Sequence, residues 1–214
     1  YRIDLLNAFV LLTVSALAAV VFVAGPGQAR RAIPPGREYL FYSAALLCLT
    51  GLLGVTITGD VFNVFVFMEI SSLSSYILIS LGRERRALMA AYSYLIMGTI
   101  GATFLLIGIG LMYQMTGTLN MVDMAERLQH VNHTRTVLVA LAFVVVGIST
   151  KLAVFPLHQW LPNAYSFAPP IVSAFLASTA TKVAYYLLIR FCLGLFGLVF
   201  VFETVGIDTL LMPL

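Results

Sequence analysis

Three ionisable side chains lie deep within runs of apolar residues: Glu69, Lys151 and Lys182. On insertion scales a charge at the centre of a bilayer costs roughly 2.5–3.5 kcal/mol, and simulations put it higher. Three such groups point to a task. Lys151 and Lys182 are the only lysines in the chain, and the loop cations are all arginines. Arg keeps its proton, whereas a desolvated Lys can give one up near neutral pH. A carboxylate with two amines of this kind can pass protons.

Each charge has polar company at helical spacing. Ser72, Tyr76 and Ser80 follow Glu69 at +3, +7 and +11, which draws one stripe along a helix. Ser178 and Thr179 precede Lys182, and Tyr185 and Tyr186 follow it, again on one predicted face. Hydroxyls alone can simply bond neighbouring helices. With a charge at the centre of each stripe, they read as the lining of a polar path. An ion pair between Glu69 and one lysine would lower the insertion cost and hold that lysine protonated. Either lysine could be the partner. A static buried pair that fixes helix register is the alternative, and it leaves the second lysine unexplained.

The elements that carry these residues are membrane spans. Of 214 residues, 61% are hydrophobic and 10% charged, against about 25% charged in a soluble domain. The mean hydropathy is +1.00. Six runs reach bilayer length, residues 5–24, 39–58, 61–81, 87–112, 137–155 and 171–191. No alternating ten-residue pattern suggests a barrel, so the predicted fold is an all-α polytopic membrane protein. The fifth run breaks the helical rule. Pro156 follows Lys151 by five residues, removes a backbone donor and clashes with the preceding turn, so a break is expected at 152–155. Broken backbone at membrane depth is tolerated where it lines a cavity. Gly147, Ser149 and Thr150 leave room there. Gly98, Gly101, Gly108 and Gly110 give the fourth span a small face suited to close packing.

The net charge is +3 and the isoelectric point about 9.0. The arginines sit in short loops, which makes them topology signals and argues against a nucleic-acid partner. Loops 25–38 and 82–86 carry Arg30, Arg31, Arg37, Arg83, Arg85 and Arg86. Two spans separate them, so they share a side, predicted to be cytoplasmic. The turn at Gly59 and Asp60 and the segment 116–135 then face outside. His130 and His133 in that segment lack a further ligand set and read as a solvated loop, with no metal site expected. The three-residue sequon at Asn132 is weak. Cys48 and Cys192 lie in apolar runs and read as small buried hydrophobes. Tyr1, with no initiator Met, suggests part of a longer chain. The tail with Glu203, Asp208 and Pro213 reads as a connection to a further helix.

Three stretches carry a family resemblance: "GDVFNVFVFMEISSLSSYILI", "GISTKLAVFPLHQWLPNAYSFAPPIVSAFLAS" and "TKVAYYLLIRF". They resemble the proton-translocating, antiporter-like membrane subunits of Mrp-type sodium/proton antiporters, respiratory complex I and membrane-bound hydrogenases. The likeness covers nearly the whole chain and leans toward the Mrp D subunit. It implies about fourteen helices in two inverted five-helix repeats. The six spans here would be the third to eighth, which include the whole first repeat with its broken helix near Lys151–Pro156, plus one preceding helix. The chain would be the N-terminal half of a longer subunit, and such a transporter needs both halves for a complete path.

By the same resemblance, Glu69 is the acid that tunes the lysine, Lys151 the proton carrier at the break, and Lys182 the relay toward the centre. His158 matches a histidine on the polar axis. Asn163 and Tyr165 depart from the "WLPDAH" of many complex I-type members, which weakly favours the Mrp side. The implied function is a proton-conducting half-channel of a cation/proton antiporter subunit. The alternative is a pump subunit of a redox-driven complex. The implied partners are protons, with sodium as a candidate, the lipid bilayer and other membrane subunits, in the cytoplasmic (inner) membrane of a prokaryote. No Cys cluster or nucleotide fingerprint suggests a redox cofactor in this chain. An intramembrane enzyme using His158 and a serine finds no supporting motif, and a purely structural subunit leaves the three charges as an unexplained cost.

Overall fold

The computed structural model describes residues 3–131, 134–197 and 200–201. His133, the sequon at Asn132 and the tail with Glu203, Asp208 and Pro213 lie outside them. The described residues are almost wholly helical. In chain order they form α1 (Leu5–Ala24), α2 (Pro26–Ala32), α3 (Glu38–Ile57), α4 (Val61–Ser80), α5 (Arg85–Thr116), α6 (Met121–Val131), α7 (Arg135–Leu152), α8 (Trp160–Phe167) and α9 (Pro170–Ile189). A π-helical stretch, Arg190–Phe196, continues α9. Helices α1, α3, α4, α5, α7 and the joined α9 stretch are long and apolar enough to cross a membrane. At 1.5 Å per residue the 32 residues of α5 extend about 48 Å, well beyond a hydrocarbon core of about 30 Å.

Local chemistry sets the ends. Asp4 and Asn7 form a reciprocal capping box at the start of α1. Asp60 accepts from the Asn63 backbone N–H at 2.8 Å and caps α4. Gly117, with φ +70°, closes α5 in the left-handed conformation that glycine adopts without strain. Two helices arise inside segments read as loops. In α2, Pro26 occupies the first turn, where its missing N–H costs nothing. In α6, Met121, Met124 and Leu128 make a buried stripe at helical spacing. Asp123 and Arg127 pair one turn apart on its outer face, and that pairing lowers the Asp123 carboxyl below its usual range. The solvated-loop reading of 116–135 is therefore too simple. Half of a short amphipathic helix looks polar in a linear scan.

Helix α5 is the packing centre, with its largest contact to α7 and a further one to α4, which also packs on α3; α1 leans on α9. Close approach explains the α5–α7 contact. A Cβ on Gly147 would sit 2.7 Å from the Gly101 carbonyl oxygen, and one on Gly101 would sit 2.9 Å from the Thr150 Cβ. Gly108 meets Val144 in the same seam, but a Cβ on Gly110 would meet nothing within 4 Å. The small face is thus made by Gly98, Gly101 and Gly108. Gly110 lies about 200° around from Gly108 and faces away.

The loop pairing deduced from span parity holds at both ends. Arg83 Nη2 donates to the Ile33 carbonyl at 3.4 Å, joining the two basic loops. At the other end, Asp60 and Asn120 form a β-bridge between the α3–α4 turn and the segment before α6. Arg190 pairs with Asp4, tying the end of α9 to the start of α1.

Gly147→Ala is expected to overpack the α5–α7 seam at a cost of about 1–3 kcal/mol. Gly110→Ala is expected to be neutral or stabilising by up to about 1 kcal/mol through helix propensity. Thermal unfolding of the full-length protein in detergent checks both.

Candidate proton-transfer site

The ninth residue of α4 is Glu69 and the seventeenth of α7 is Lys151. The bundle brings them face to face. Lys151 is 8% exposed, and its Nζ lies 4.0 Å from Glu69 Oε1. That is an ion pair without a direct hydrogen bond. The ammonium donates instead to the Ser72 hydroxyl and, at 3.3 Å, to Tyr76 Oη. Glu69, Ser72 and Tyr76 are three members of the α4 stripe, and all three turn to one lysine. Ser80 does not join them: it lies eight residues beyond Ser72 along α4, and its hydroxyl bonds the Ile77 carbonyl. Ser72 likewise bonds back to the Met68 carbonyl at 2.7 Å, which fixes the direction in which its oxygen accepts.

The lysine stands where its helix stops. Helix α7 ends at Leu152, the chain runs irregularly to Gln159, and α8 begins at Trp160. The break falls in the expected interval. Ala153 caps α7 at φ +59°, a left-handed conformation unusual for a residue with a Cβ. The Phe155–Pro156 peptide is cis. A helix ending at this depth leaves carbonyls to satisfy. Trp160 Nε1 donates to the Thr150 carbonyl at 3.0 Å, and Val154 N–H to that of Ser149 at 3.1 Å. Trp160 also stacks on Tyr94, with ring centroids 3.9 Å apart and planes within 5°. Tyr94 in turn meets Tyr76 edge-on at 4.7 Å. The Lys151 ammonium lies 5.7 Å from the Tyr76 ring centroid and 5.8 Å from that of Tyr94, within cation–π range.

Sequence reasoning missed Tyr94 and Trp160 as parts of this site. The available signal was the chain's single Trp, inside "FPLHQWLP". It also gave Gly98 no role beyond packing. A Cβ there would sit 2.0 Å from Tyr76 Oη and 3.2 Å from Lys151 Nζ, so a side chain at 98 would displace the tyrosine hydroxyl. A cavity of about 30 Å³ adjoins the lysine, lined by Ser71, Ser72, Ser75, Tyr94, Lys151 and residues of α9. It is large enough for water.

The other predicted residues lie elsewhere. Lys182 is exposed on α9, and its Nζ donates to the Ala177 carbonyl. It borders a groove of about 440 Å³ with Thr13 of α1, Leu152 and Tyr185. The polar arc of α9 straddles two environments. Thr179 and Tyr186 turn inward, Lys182 and Tyr185 turn outward, and Ser178 is half-buried between them. The expected single polar face on α9 is therefore split, because a polar arc of this width spans the edge of the bundle. Thr179 bonds the Phe175 carbonyl and Tyr186 that of Thr56. His158 lies in the break, half-buried beside Phe155, with Nδ1 lacking a hydrogen-bond partner among the described residues. Pro156 lies in the same segment. Glu69 thus has one lysine as its partner, Lys151, and Lys182 stands apart.

Residues 58–212 match the family model described as NADH:quinone oxidoreductase/Mrp antiporter, transmembrane. The chain belongs to this family. It is 49% identical over 181 residues to an NADH-quinone oxidoreductase membrane protein, the N subunit, of Desulforudis audaxviator, covering 85% of this chain and 35% of that protein. It is 33% identical over 175 residues to an Na(+)/H(+) antiporter protein of Bacillus subtilis, covering 81% and 35%. Among solved structures, a chain of the Mrp complex from Dietzia sp. DQ12-45-1b superposes with a TM-score of 0.75 at 33% identity, over 88% of this chain and 34% of that one. The chain therefore spans about a third of the length of these relatives. Identity to the oxidoreductase protein exceeds that to the antiporter protein, whereas the sequence reading leaned toward the Mrp side.

Trp160→Phe keeps a ring against Tyr94 but leaves the Thr150 carbonyl with only the long Ala153 N–H contact at 3.4 Å. The expected cost is about 0.5–1.5 kcal/mol for the lost hydrogen bond, measured as a lower unfolding midpoint of the full-length protein. An unchanged midpoint would remove the indole from the support of the break.

Proposed function

We propose that this chain forms a proton-conducting half-channel of a cation/proton antiporter subunit. The observation that carries this reading is the buried Lys151 ammonium at a helix break, facing Glu69 and bonded to Ser72 and Tyr76. With the carboxylate close, the pair favours a protonated lysine. If Glu69 moves away or accepts a proton, burial favours the neutral amine, and the proton leaves. Ser72 and Tyr76 can accept and donate in turn, and the small cavity offers water a place between α4 and α9. Lys182 would receive the proton beyond α9, with Ser178, Thr179 and Tyr185 beside it and His158 near the α7–α8 connection. The half-channel would work as one part of a longer subunit among other membrane subunits. Protons are the ions carried, with sodium as the candidate counter-ion. The loops 25–38 and 82–86 would face the cytoplasm of a prokaryotic cell, by their arginine excess.

The 49% identity to an oxidoreductase subunit supports a second reading, in which the same lysine pumps within a redox-driven complex. The chemistry at Lys151 is shared, and the driving reaction differs. Reconstituting the full complex and driving it either with a cation gradient or with an electron donor distinguishes them.

Glu69→Gln and Lys151→Ala in the full complex are expected to abolish ion exchange while leaving assembly intact. Lys151→Arg keeps the positive charge beside Glu69 but cannot release its proton. It is therefore expected to assemble and remain inactive. Proton flux in proteoliposomes reads all three, and wild-type rates in Glu69→Gln or Lys151→Ala would sink the proposal.

A further inference from the structure

The two basic loops border an open cavity that proton transfer does not use. It measures about 650 Å³ and is lined by Gln28, Arg31, Arg83, Glu84, Phe167 and Pro170, among others. It lies where α4 ends, α5 begins and α9 begins, at the ends of three membrane-length helices. Two guanidiniums face it against one carboxylate. Arg30, the neighbour of Arg31, is engaged with Glu38 at 3.9 Å. Arg31 itself has neither a hydrogen bond nor an ion pair among the described residues, and Arg83 has only the long contact to the Ile33 carbonyl. Arg86 lies over the Phe167 ring at 5.7 Å and adds a third cation at the rim. The lining also includes the apolar residues Ala32, Phe167, Ala168 and Pro169. Beside it the first turns of α5 expose Leu88 and Met89.

We infer that this cavity holds the phosphate of an anionic phospholipid headgroup, with the acyl chains lying along the outside of the bundle. Two guanidiniums without a protein carboxylate bound to them match phosphate oxygens by paired N–H donors. Basic pockets at the end of a span are suited to acidic lipid headgroups. The apolar part of the lining fits a glycerol backbone better than it fits a soluble anion. This inference is independent of the Lys151 reading.

The test uses the full-length subunit in its assembled complex, in nanodiscs of phosphatidylglycerol and phosphatidylcholine. After extraction in mild detergent, retained lipid is counted by mass spectrometry. Arg31→Ala/Arg83→Ala is expected to lose about one retained phosphatidylglycerol per subunit, with phosphatidylcholine and the Arg30→Ala control unchanged. Arg31→Ala alone, which removes no hydrogen bond or ion pair among the described residues, is expected to assemble and to show a partial loss. Equal retention in the variants, or equal loss of both lipids, would overturn the inference. So would saturable binding of inorganic phosphate in lipid-free detergent without selectivity between lipids, which would assign the cavity to a soluble anion.

Discussion

An ammonium group buried among helices governs the centre of this structure. Lys151 can stay charged there only if its burial is offset. The offsets come from several elements at once: Glu69 supplies opposite charge, Ser72 and Tyr76 supply acceptors, and two aromatic faces supply weaker attraction. None of these is strong by itself. The carboxylate stands at 4.0 Å rather than in hydrogen-bond contact, which leaves the pair looser than one built only for rigidity.

The helix break serves the same lysine. Ending α7 at Leu152 places Lys151 in its last turn, where the negative end of the helix dipole favours a positive charge. The break must itself be stabilised, and Trp160 returns from α8 to bond the Thr150 carbonyl. Its stack on Tyr94 then links the far half of the broken helix to the ring beside the ammonium. Gly98 on α5 removes the one Cβ that would block Tyr76 and Lys151 from meeting. Support for the charge therefore draws on α4, α5, α7 and α8.

Much of this was legible in the sequence. The six spans, the break after Lys151 and the stripe of Glu69, Ser72 and Tyr76 follow from hydropathy, proline chemistry and 100° periodicity. The partner of Glu69 was not legible, since both lysines sit at suitable depth and only packing decides which one turns inward. The split face of α9 was hidden for a related reason. Periodicity gives the angular width of a polar arc but not where the edge of the bundle cuts it. Helices α2 and α6 escaped because short amphipathic segments carry too little apolar signal in a linear scan. Trp160 escaped because its role depends on a carbonyl freed ten residues earlier.

The pairing of Glu69 with Lys151 is open to direct observation by infrared spectroscopy of the carboxyl group. The full-length subunit is compared with Lys151→Met, and Glu69→Gln/Lys151→Met assigns the band. If Lys151 is the counter-charge, the wild type shows an ionised Glu69. The Lys151→Met variant then gains a protonated-carboxyl band that the double variant lacks. An ionised Glu69 in both proteins, with no new band, would contradict the pair.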